Sequence, residues 1–177
     1  MKRMFLPLRY WLYAITAIFF ITSCASSKKS ASPHVYMQKQ YKELKDVLNG
    51  AEVSIIQDSV KVIFPNNVLF ATSSDQLSDA IKPTFGHFAD ILNKYGKTKI
   101  LITGHTDNTG NTDYNRDLSE KRANAARSLL QEFKVSSDRM FTWGLADRDP
   151  IASNSTDAGR AKNRRVEFVI LYDVKNN

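Results

Sequence analysis

An aspartate and an arginine in one polar stretch are the residues of this chain best suited to hold a charged ligand. The stretch, residues 104–123, reads GHTDNTGNTDYNRDLSEKRA and follows a run of apolar residues. Asp107 offers an acceptor charge, and Arg122 offers a planar fork that pairs bidentately with a carboxylate. Together they could hold a group that carries both an ammonium and a carboxylate, or they could form a structural ion pair with each other. Their spacing alone leaves both interpretations open.

The other polar residues indicate neither a catalytic centre nor a metal site. His105 lies beside Asp107, but metal sites need three or four convergent ligands, so we interpret His105 as a structural residue at a strand end. Ser119 and Glu120 fit no catalytic triad, because no histidine is placed to act as a base. Residues 163–165, Asn-Arg-Arg, are interpreted as structural residues that hydrogen-bond nearby loops, and contact with a ligand is the alternative. We therefore expect no cofactor and no metal.

The elements that position these residues follow from the spacing of apolar residues. Ile100, Leu101 and Ile102 are consecutive apolar residues, which predicts a strand buried on both faces. The helix at 35–49 could either pack on the domain or space it from a membrane. The predicted elements are helix 35–49, hairpin Val53–Phe64 with a turn at Asp58-Ser59, strand Val68–Ala71, helix 77–95, strand Lys99–Thr103, helix 115–133, a short strand Arg139–Gly144, a loop-rich segment 145–163 and strand Val166–Leu171.

This order of elements predicts the fold class. Two long helices alternate with strands after an initial hairpin, which is typical of an α/β (α+β) sandwich with both helices on one face of a mixed sheet.

The first 23 residues are predicted to be an export signal. They contain three basic residues and no acid, and their apolar run Trp11–Ile21 is short for a membrane span of about 20 residues. The run ends in Ile21-Thr22-Ser23-Cys24, which resembles the lipobox of bacterial lipoproteins. Cys24 is the only cysteine, so the chain has no internal disulfide, and we predict that Cys24 is lipidated. The alternative is an uncleaved membrane anchor with an incidental cysteine.

Charge gives no support for a nucleic-acid partner. The formal net charge is +7, and removal of the export signal lowers it by three. The remaining basic residues are interleaved with acids instead of forming a stripe, which is typical of a solvated surface. Residues 25–33 are small, polar and basic, so we predict a flexible tether there.

Residues 104–123 closely resemble the signature of the OmpA-like family, the peptidoglycan-associating C-terminal domain of outer-membrane protein A. That signature runs TDxxG, YN and LSxxRA, and its parts appear here as Thr106-Asp107, Gly110, Tyr114-Asn115 and Leu118–Ala123. Further similar stretches are LFATSSDQL at 69–77, GLADRDPIASN at 144–154 and GRAKNRRVEF at 159–168. The resemblance implies a β-α-β-α-β-β domain within residues 51–174, preceded by an N-terminal β-hairpin.

The resemblance also implies a binding module without catalytic activity, whose ligand is the diaminopimelate of the peptidoglycan stem peptide. The free end of diaminopimelate is a zwitterion that an aspartate and an arginine can hold together. Family members often carry acids in the first loop, where residues 71–74 here are Ala-Thr-Ser-Ser, so we expect no charged side-chain contacts from that loop, which leaves its backbone to contact a ligand. The positions of this chain that match the family's binding residues are Asp107, Arg122, Thr109, Asn115, Thr72 and Ser73.

The expected protein is an outer-membrane lipoprotein that tethers the membrane to the cell wall. Its parts would be the signal 1–23, the lipidated cysteine with tether and helix 24–50, and the periplasmic domain 51–174. Ala25 after the cysteine favours the outer membrane by the sorting rule of enterobacteria. A scaffold for envelope protein complexes and an enzyme acting on peptidoglycan are the alternatives.

Overall fold

The computed structural model describes residues 32–71 and 74–173. The predictions for the export signal, for Cys24 and for Thr72 and Ser73 lie outside the described residues. In chain order the elements are α1 (Pro33–Val47), β1 (Glu52–Ile56), β2 (Ser59–Pro65), α2 (Asn66–Leu69), α3 (Lys82–Lys94), β3 (Thr98–His105), α4 (Thr112–Glu132), β4 (Met140–Ala146), α5 (Asp157–Asn163) and β5 (Arg165–Tyr172). Single 3₁₀ turns at Asp79–Ile81 and Ser137–Arg139 precede α3 and β4.

The strands form one mixed sheet in the order β1-β2-β5-β3-β4. β3 and β4 are parallel, and the other neighbouring strands are antiparallel. The predicted hairpin is confirmed as β1 and β2, but its turn lies at Gln57-Asp58, one residue earlier than predicted, and Gln57 has a positive φ of 55°. The predicted fold class, an α+β sandwich with a mixed sheet, is confirmed.

The core lies between the sheet and the helices. Phe64 and Phe168 from the sheet contact Phe85 and Phe88 from α3, with ring centroids 5.1–6.0 Å apart. Such tilted and edge-to-face contacts are the geometry that aromatic rings prefer. β3 contributes Ile100 and Ile102 to this core, and both are fully buried.

The opposite face of the sheet is partly open. Leu101 and its neighbour Val169 on β5 are only half-buried there. The prediction that the apolar run of β3 is buried on both faces is therefore wrong at Leu101.

Helix α1 packs on the domain, which was one of the two roles that the sequence left open. It begins after Ser32, whose hydroxyl accepts a hydrogen bond from Val35 N, and it buries Met37 and Leu44 completely in the core. The compact unit runs from residue 31 onwards and includes α1. Within the described ranges no helix is long and apolar enough to cross a membrane.

The predicted strand Val68–Ala71 is wrong. Pro65 ends β2 and caps the short helix α2, and Asn66 N donates to Arg164 O at 2.9 Å. Only Phe70 makes a β-bridge, to Leu77. The local apolar composition favours a strand here. The hydrogen bond from Asn66 N to Arg164 O, which is distant in sequence, instead stabilises a helical turn.

The other predicted elements are found with shifted ends. The helix predicted at 77–95 is α3, and it starts later because Pro83 occupies its first turn, where a missing N–H is tolerated. The segment 145–163, predicted as loop, contains α5, which Thr156 caps by accepting from Gly159 N at 3.1 Å. The short strand predicted at Arg139–Gly144 is β4.

Replacing Leu44 should show that α1 is part of the core. Leu44→Ala removes a fully buried side chain, and the resulting cavity should lower the free energy of unfolding by about 2–5 kcal/mol. Urea denaturation of a chain that begins at residue 31 measures this loss, and the exposed neighbour substitution Lys42→Ala is the control. Equal stability of the two variants would contradict the packing of α1.

Candidate functional site

The loop between β3 and α4 builds one wall of the site. Thr106 N donates to Ala146 O of β4 at 2.9 Å, which continues the parallel pairing past the end of β3. Asn111 caps α4 by accepting from Tyr114 N, and Asn115 Nδ2 donates to Thr109 O at 2.8 Å. The loop is thus tied at both ends, and Asp107 occupies a defined position within it.

The carboxylate of Asp107 is satisfied by its own loop and by one distant arginine. Oδ1 accepts from the backbone N–H of Thr109 at 3.0 Å and from the Thr109 hydroxyl, and Oδ2 accepts from Arg164 Nη1 at 2.6 Å. Burial alone would raise the pKa of Asp107, but the hydrogen bonds from Thr109 and Arg164 outweigh it and hold that pKa below its ordinary value.

The guanidinium of Arg122 is held by a backbone carbonyl and an aromatic ring. Nε and Nη2 donate to Ser74 O at 3.1 and 3.0 Å, and the guanidinium lies 5.3 Å from the centre of the Phe70 ring. Arg122 is 3% exposed, and burial lowers its pKa, although an arginine remains charged at physiological pH. Asp107 and Arg122 therefore do not pair directly, since Asp107 pairs with Arg164.

Both charges nevertheless line one pocket of about 920 Å³. The structure brings four of the predicted site residues together there, namely Asp107, Thr109, Asn115 and Arg122. Thr72 and Ser73 lie outside the described residues, between Ala71, which lines the pocket, and Ser74, which binds Arg122. Other lining residues come from α2, from the start of α4 and from the end of α5: Asn66, Asn67, Phe70, Tyr114, Leu118, Ala161 and Arg164.

Arg164 lines the pocket, although the sequence favoured a structural role for it and it was not among the predicted binding residues. It stands between α5 and β5, and its side chain is 42% exposed at the pocket. Its neighbours have the structural roles expected of them: Asn163 Oδ1 accepts from two backbone N–H groups of residues 151 and 152, and Arg165 pairs with Glu167 at 2.7 Å. Three consecutive polar residues gave no local signal that the middle one faces the pocket.

His105 is a buried structural residue. Its Nε2 lies 3.1 Å from Thr103 Oγ1, and burial lowers its pKa to about 4, so the ring is neutral at physiological pH. In residues 32–71 and 74–173, no three histidine, cysteine or acidic side chains are grouped so that they could hold a metal ion. The polar chemistry of the site is therefore carried by one carboxylate, two guanidinium groups and the amides and hydroxyls between them.

Residues 69–164 match the OmpA family, and the chain belongs to this family. The chain is 41% identical over 137 residues to the probable lipoprotein YiaD of Escherichia coli, a match that covers 76% of this chain but only 63% of that protein. It is 36% identical over 115 residues to the peptidoglycan-binding protein ArfA of Mycobacterium bovis, covering 65% of this chain and 35% of ArfA.

A solved structure has the same fold. It is the cell wall anchor of the T6SS from Pseudomonas aeruginosa, which is 30% identical and superimposes with a TM-score of 0.67 over 77% of this chain and 97% of that one.

Removing Arg164 should raise the pKa of Asp107. Because the pKa of Asp107 is lowered in the folded state, ionised Asp107 stabilises the fold. This stabilisation is complete at pH values above the ordinary pKa of about 3.9, and it is lost as the pH falls through the lower pKa of the folded state. In Arg164→Ala the pKa should move up, and the deficit in unfolding free energy should be present at neutral pH and shrink in acid.

An NMR titration of the Asp107 carboxyl carbon, with unfolding curves at several pH values, measures both effects. The exposed Arg148 supplies the control Arg148→Ala, which removes the same charge elsewhere. An unchanged Asp107 pKa in Arg164→Ala would show that the ion pair does not hold the carboxylate.

Proposed function

We propose that the chain is a peptidoglycan-binding protein without catalytic activity, and that its pocket holds the zwitterionic end of diaminopimelate in the stem peptide. The observation that carries the proposal is the placement of a buried carboxylate and two guanidinium groups around one pocket. A ligand group with an ammonium and a carboxylate on one carbon needs an acceptor charge and a forked donor in the same pocket.

The hydrogen bonds already present leave room for such a ligand. A carboxylate accepts about four hydrogen bonds, and Asp107 receives two from Thr109 and one from Arg164 among the described residues. One acceptor direction of Asp107 is left for the ligand's ammonium. Arg122 uses Nε–H and one N–H of Nη2 on Ser74 O, so both N–H groups of Nη1 and the second N–H of Nη2 are left to donate to the ligand's carboxylate.

Arg164 has a positioning role in this proposal. Its pairing with Asp107 keeps the carboxylate ionised and oriented before the ligand arrives, so that less ordering remains to be done on binding. The two guanidinium groups outnumber the one carboxylate, and the pocket therefore favours a ligand that brings at least one carboxylate of its own.

The relatives support the proposal in their own terms. ArfA is a peptidoglycan-binding protein, and the P. aeruginosa structure is that of a cell wall anchor. The alternative of an enzyme would need an accessible nucleophile, and Ser119 does not provide one. Its hydroxyl donates to Arg116 O, and the residue is fully buried. A nucleophile held in this way has no access to a substrate.

We also propose that lipid on Cys24 anchors the domain to the outer membrane, on its periplasmic side. Since α1 packs on the domain, only residues 25–32 separate Cys24 from the folded part. Fully extended, this segment spans about 30 Å at most, so the domain would be held close to the membrane surface. Binding of the wall by a domain already confined there raises its effective concentration, and a weak site suffices.

The anchor is tested by substituting the cysteine. Cys24→Ala should abolish lipidation and leave the protein unanchored or retained as a precursor, because no other cysteine can accept the lipid. Mass spectrometry of the membrane fraction decides the point, with Ser26→Ala as a control that keeps the lipobox. An uncleaved, unmodified Cys24 in the mature protein would rule out the anchor.

The ligand site is tested by removing each charge in turn. Loss of one partner of a sheltered, hydrogen-bonded charge pair costs about 2–5 kcal/mol, so Asp107→Ala and Arg122→Ala should each weaken binding to isolated sacculi by roughly 30- to several-thousand-fold. The losses should be less than additive in the double mutant, because both residues act on one bound group. Titration calorimetry with free diaminopimelate, alongside a thermal melt, measures binding and folding separately.

Lys121→Ala is the matched control for these variants. Lys121 is the exposed neighbour of Arg122 on α4 and pairs with Asp117, so its removal deletes a charge without touching the pocket. Full affinity in a folded Asp107→Ala protein would show that Asp107 does not bind the ligand. A loss of affinity that only follows unfolding would show that Asp107 and Arg122 have a structural role.

A further inference from the structure

One face of the sheet carries a group of apolar residues that the helices leave exposed. Side chains of paired residues on neighbouring strands point to the same face, so the register shows which of them stand side by side. Val169 pairs with Leu101, and Leu101 pairs with Phe141. Phe141, Trp143 and Leu171 are 53%, 61% and 42% exposed. We call this group the apolar patch, and its members are Leu101, Phe141, Trp143, Val169 and Leu171.

Lysines flank the apolar patch, and their acidic partners are buried more deeply. Lys61 and Lys99 each pair in register with a patch residue of β5. Lys61 is 26% exposed and its partner Glu167 only 4%, while Lys99 is 33% exposed and its partner Asp173 only 9%. A partner on this face therefore meets apolar side chains and ammonium groups. Lysine beside tryptophan, phenylalanine and leucine is the composition of surfaces that lie between lipid headgroups and acyl chains.

The chain enters the folded unit at the end of the sheet that carries Leu171. The ring of Tyr36, in the first turn of α1, lies 5.4 Å from the ring of Tyr172, the last residue of β5. Only residues 25–32 separate Cys24 from α1, and they span about 30 Å at most. A membrane that holds Cys24 is therefore within reach of the apolar patch.

We propose that the apolar patch docks on the lipid surface to which the chain is anchored, with Phe141 and Trp143 at the level of the headgroups and the lysines directed to anionic lipids. This inference rests on the lipid anchor at Cys24 proposed above. The short tether selects lipid as the occupant, because the membrane surface is beside the patch whenever the anchor is in place. Such confinement raises the effective concentration of the patch at the membrane, so a weak patch suffices.

Docking through this face leaves the ligand pocket accessible. Asp107 follows β3 at the end of the strand opposite to Lys99, which is about 20 Å away along the strand. Helix α4, which contributes to the pocket wall, crosses Gly104 and Gly144 on the other face of the sheet. One face of the domain is thus directed to lipid, while the far end of the strands is left for the wall.

A chain that begins at Cys24 tests docking without native lipidation. Its only cysteine couples to a lipid with a maleimide headgroup, and Trp143 is its only tryptophan, because Trp11 precedes it. The vesicles contain phosphatidylethanolamine and phosphatidylglycerol, with or without brominated acyl chains that quench a tryptophan at the lipid boundary. Coupled protein should show blue-shifted, quenched Trp143 emission, and uncoupled protein at the same concentration should show neither. Unquenched emission of the coupled protein would overturn the proposal.

A negative charge in the apolar patch should prevent docking. Phe141→Glu and Leu171→Glu each place a carboxylate at the lipid boundary, so each should lower the quenched fraction by roughly tenfold. Ser128→Glu, at an exposed residue of α4, adds the same charge on the helical side and should dock as the parent does. Thermal melts check that the variants are folded. Quenching that survives both patch variants, or that Ser128→Glu also removes, would overturn the proposal.

Failure of docking is distinguishable from failure of the proposed function. Both patch variants should bind free diaminopimelate as the parent does, because the pocket lies beyond the other end of the strands. An unmodified Cys24 in the cell would rule out the native anchor and leave the result of the coupled experiment unchanged. Protection of Trp143 from acrylamide that rises with protein concentration in the absence of lipid would assign the patch to a second copy and overturn the proposal.

Discussion

The site depends on keeping the carboxylate of Asp107 ionised in a side chain that is only 8% exposed. An isolated buried carboxylate would take up a proton, so its charge has to be balanced by donors from elsewhere in the fold. Thr109 supplies two donors from the loop after β3, and Arg164 supplies the third from the junction between α5 and β5. The ion pair thus joins the middle of the sheet to the loop that forms the pocket wall.

Close packing of α4 on the sheet sets the position of the second charge. A Cβ atom on Gly104 would lie 1.9 Å from the Ser119 carbonyl oxygen, and one on Gly144 would lie 2.7 Å from Glu120 N, so both strands need glycine where the helix crosses them. Arg122 stands about one turn beyond Ser119 and therefore points from a fixed helix. Any side chain at Gly104 would push α4 away and move the guanidinium out of reach of Ser74 O.

The long helices and the β1–β2 hairpin could be predicted from the sequence, because each has a clear period of apolar residues, and β3 could be predicted from its run of consecutive apolar residues. The hairpin of β1 and β2 and the helix α4 were found in this way. α2 could not be, since Val68, Leu69 and Phe70 form a short apolar run that is typical of a strand, and the hydrogen bond of Asn66 N to Arg164 O that opposes it comes from far along the chain. α5 was hidden by its glycine, aspartate and asparagine, which are typical of loops.

The candidate site was predictable only in part, for a related reason. The residues carried by one continuous motif, Asp107, Thr109, Asn115 and Arg122, do meet at one pocket. Their partners do not belong to that motif: Arg164 pairs with Asp107, and Ser74 O holds Arg122. The spacing of apolar side chains indicates which face of an element is buried. It does not indicate which distant residue will pair with a charged side chain.

We propose above all that the pocket between α2, the β3–α4 loop and the start of α4 binds the stem peptide. The most direct measurement is NMR mapping of the isotope-labelled chain with a soluble muropeptide that contains diaminopimelate. We expect the largest shifts at the backbone amides of residues 107–110 and 114–115 and at the Arg122 Nε–H, with little change on the open face of the sheet. Shifts that cluster away from these residues, or no shift at any muropeptide concentration, would show that this pocket does not bind the stem peptide.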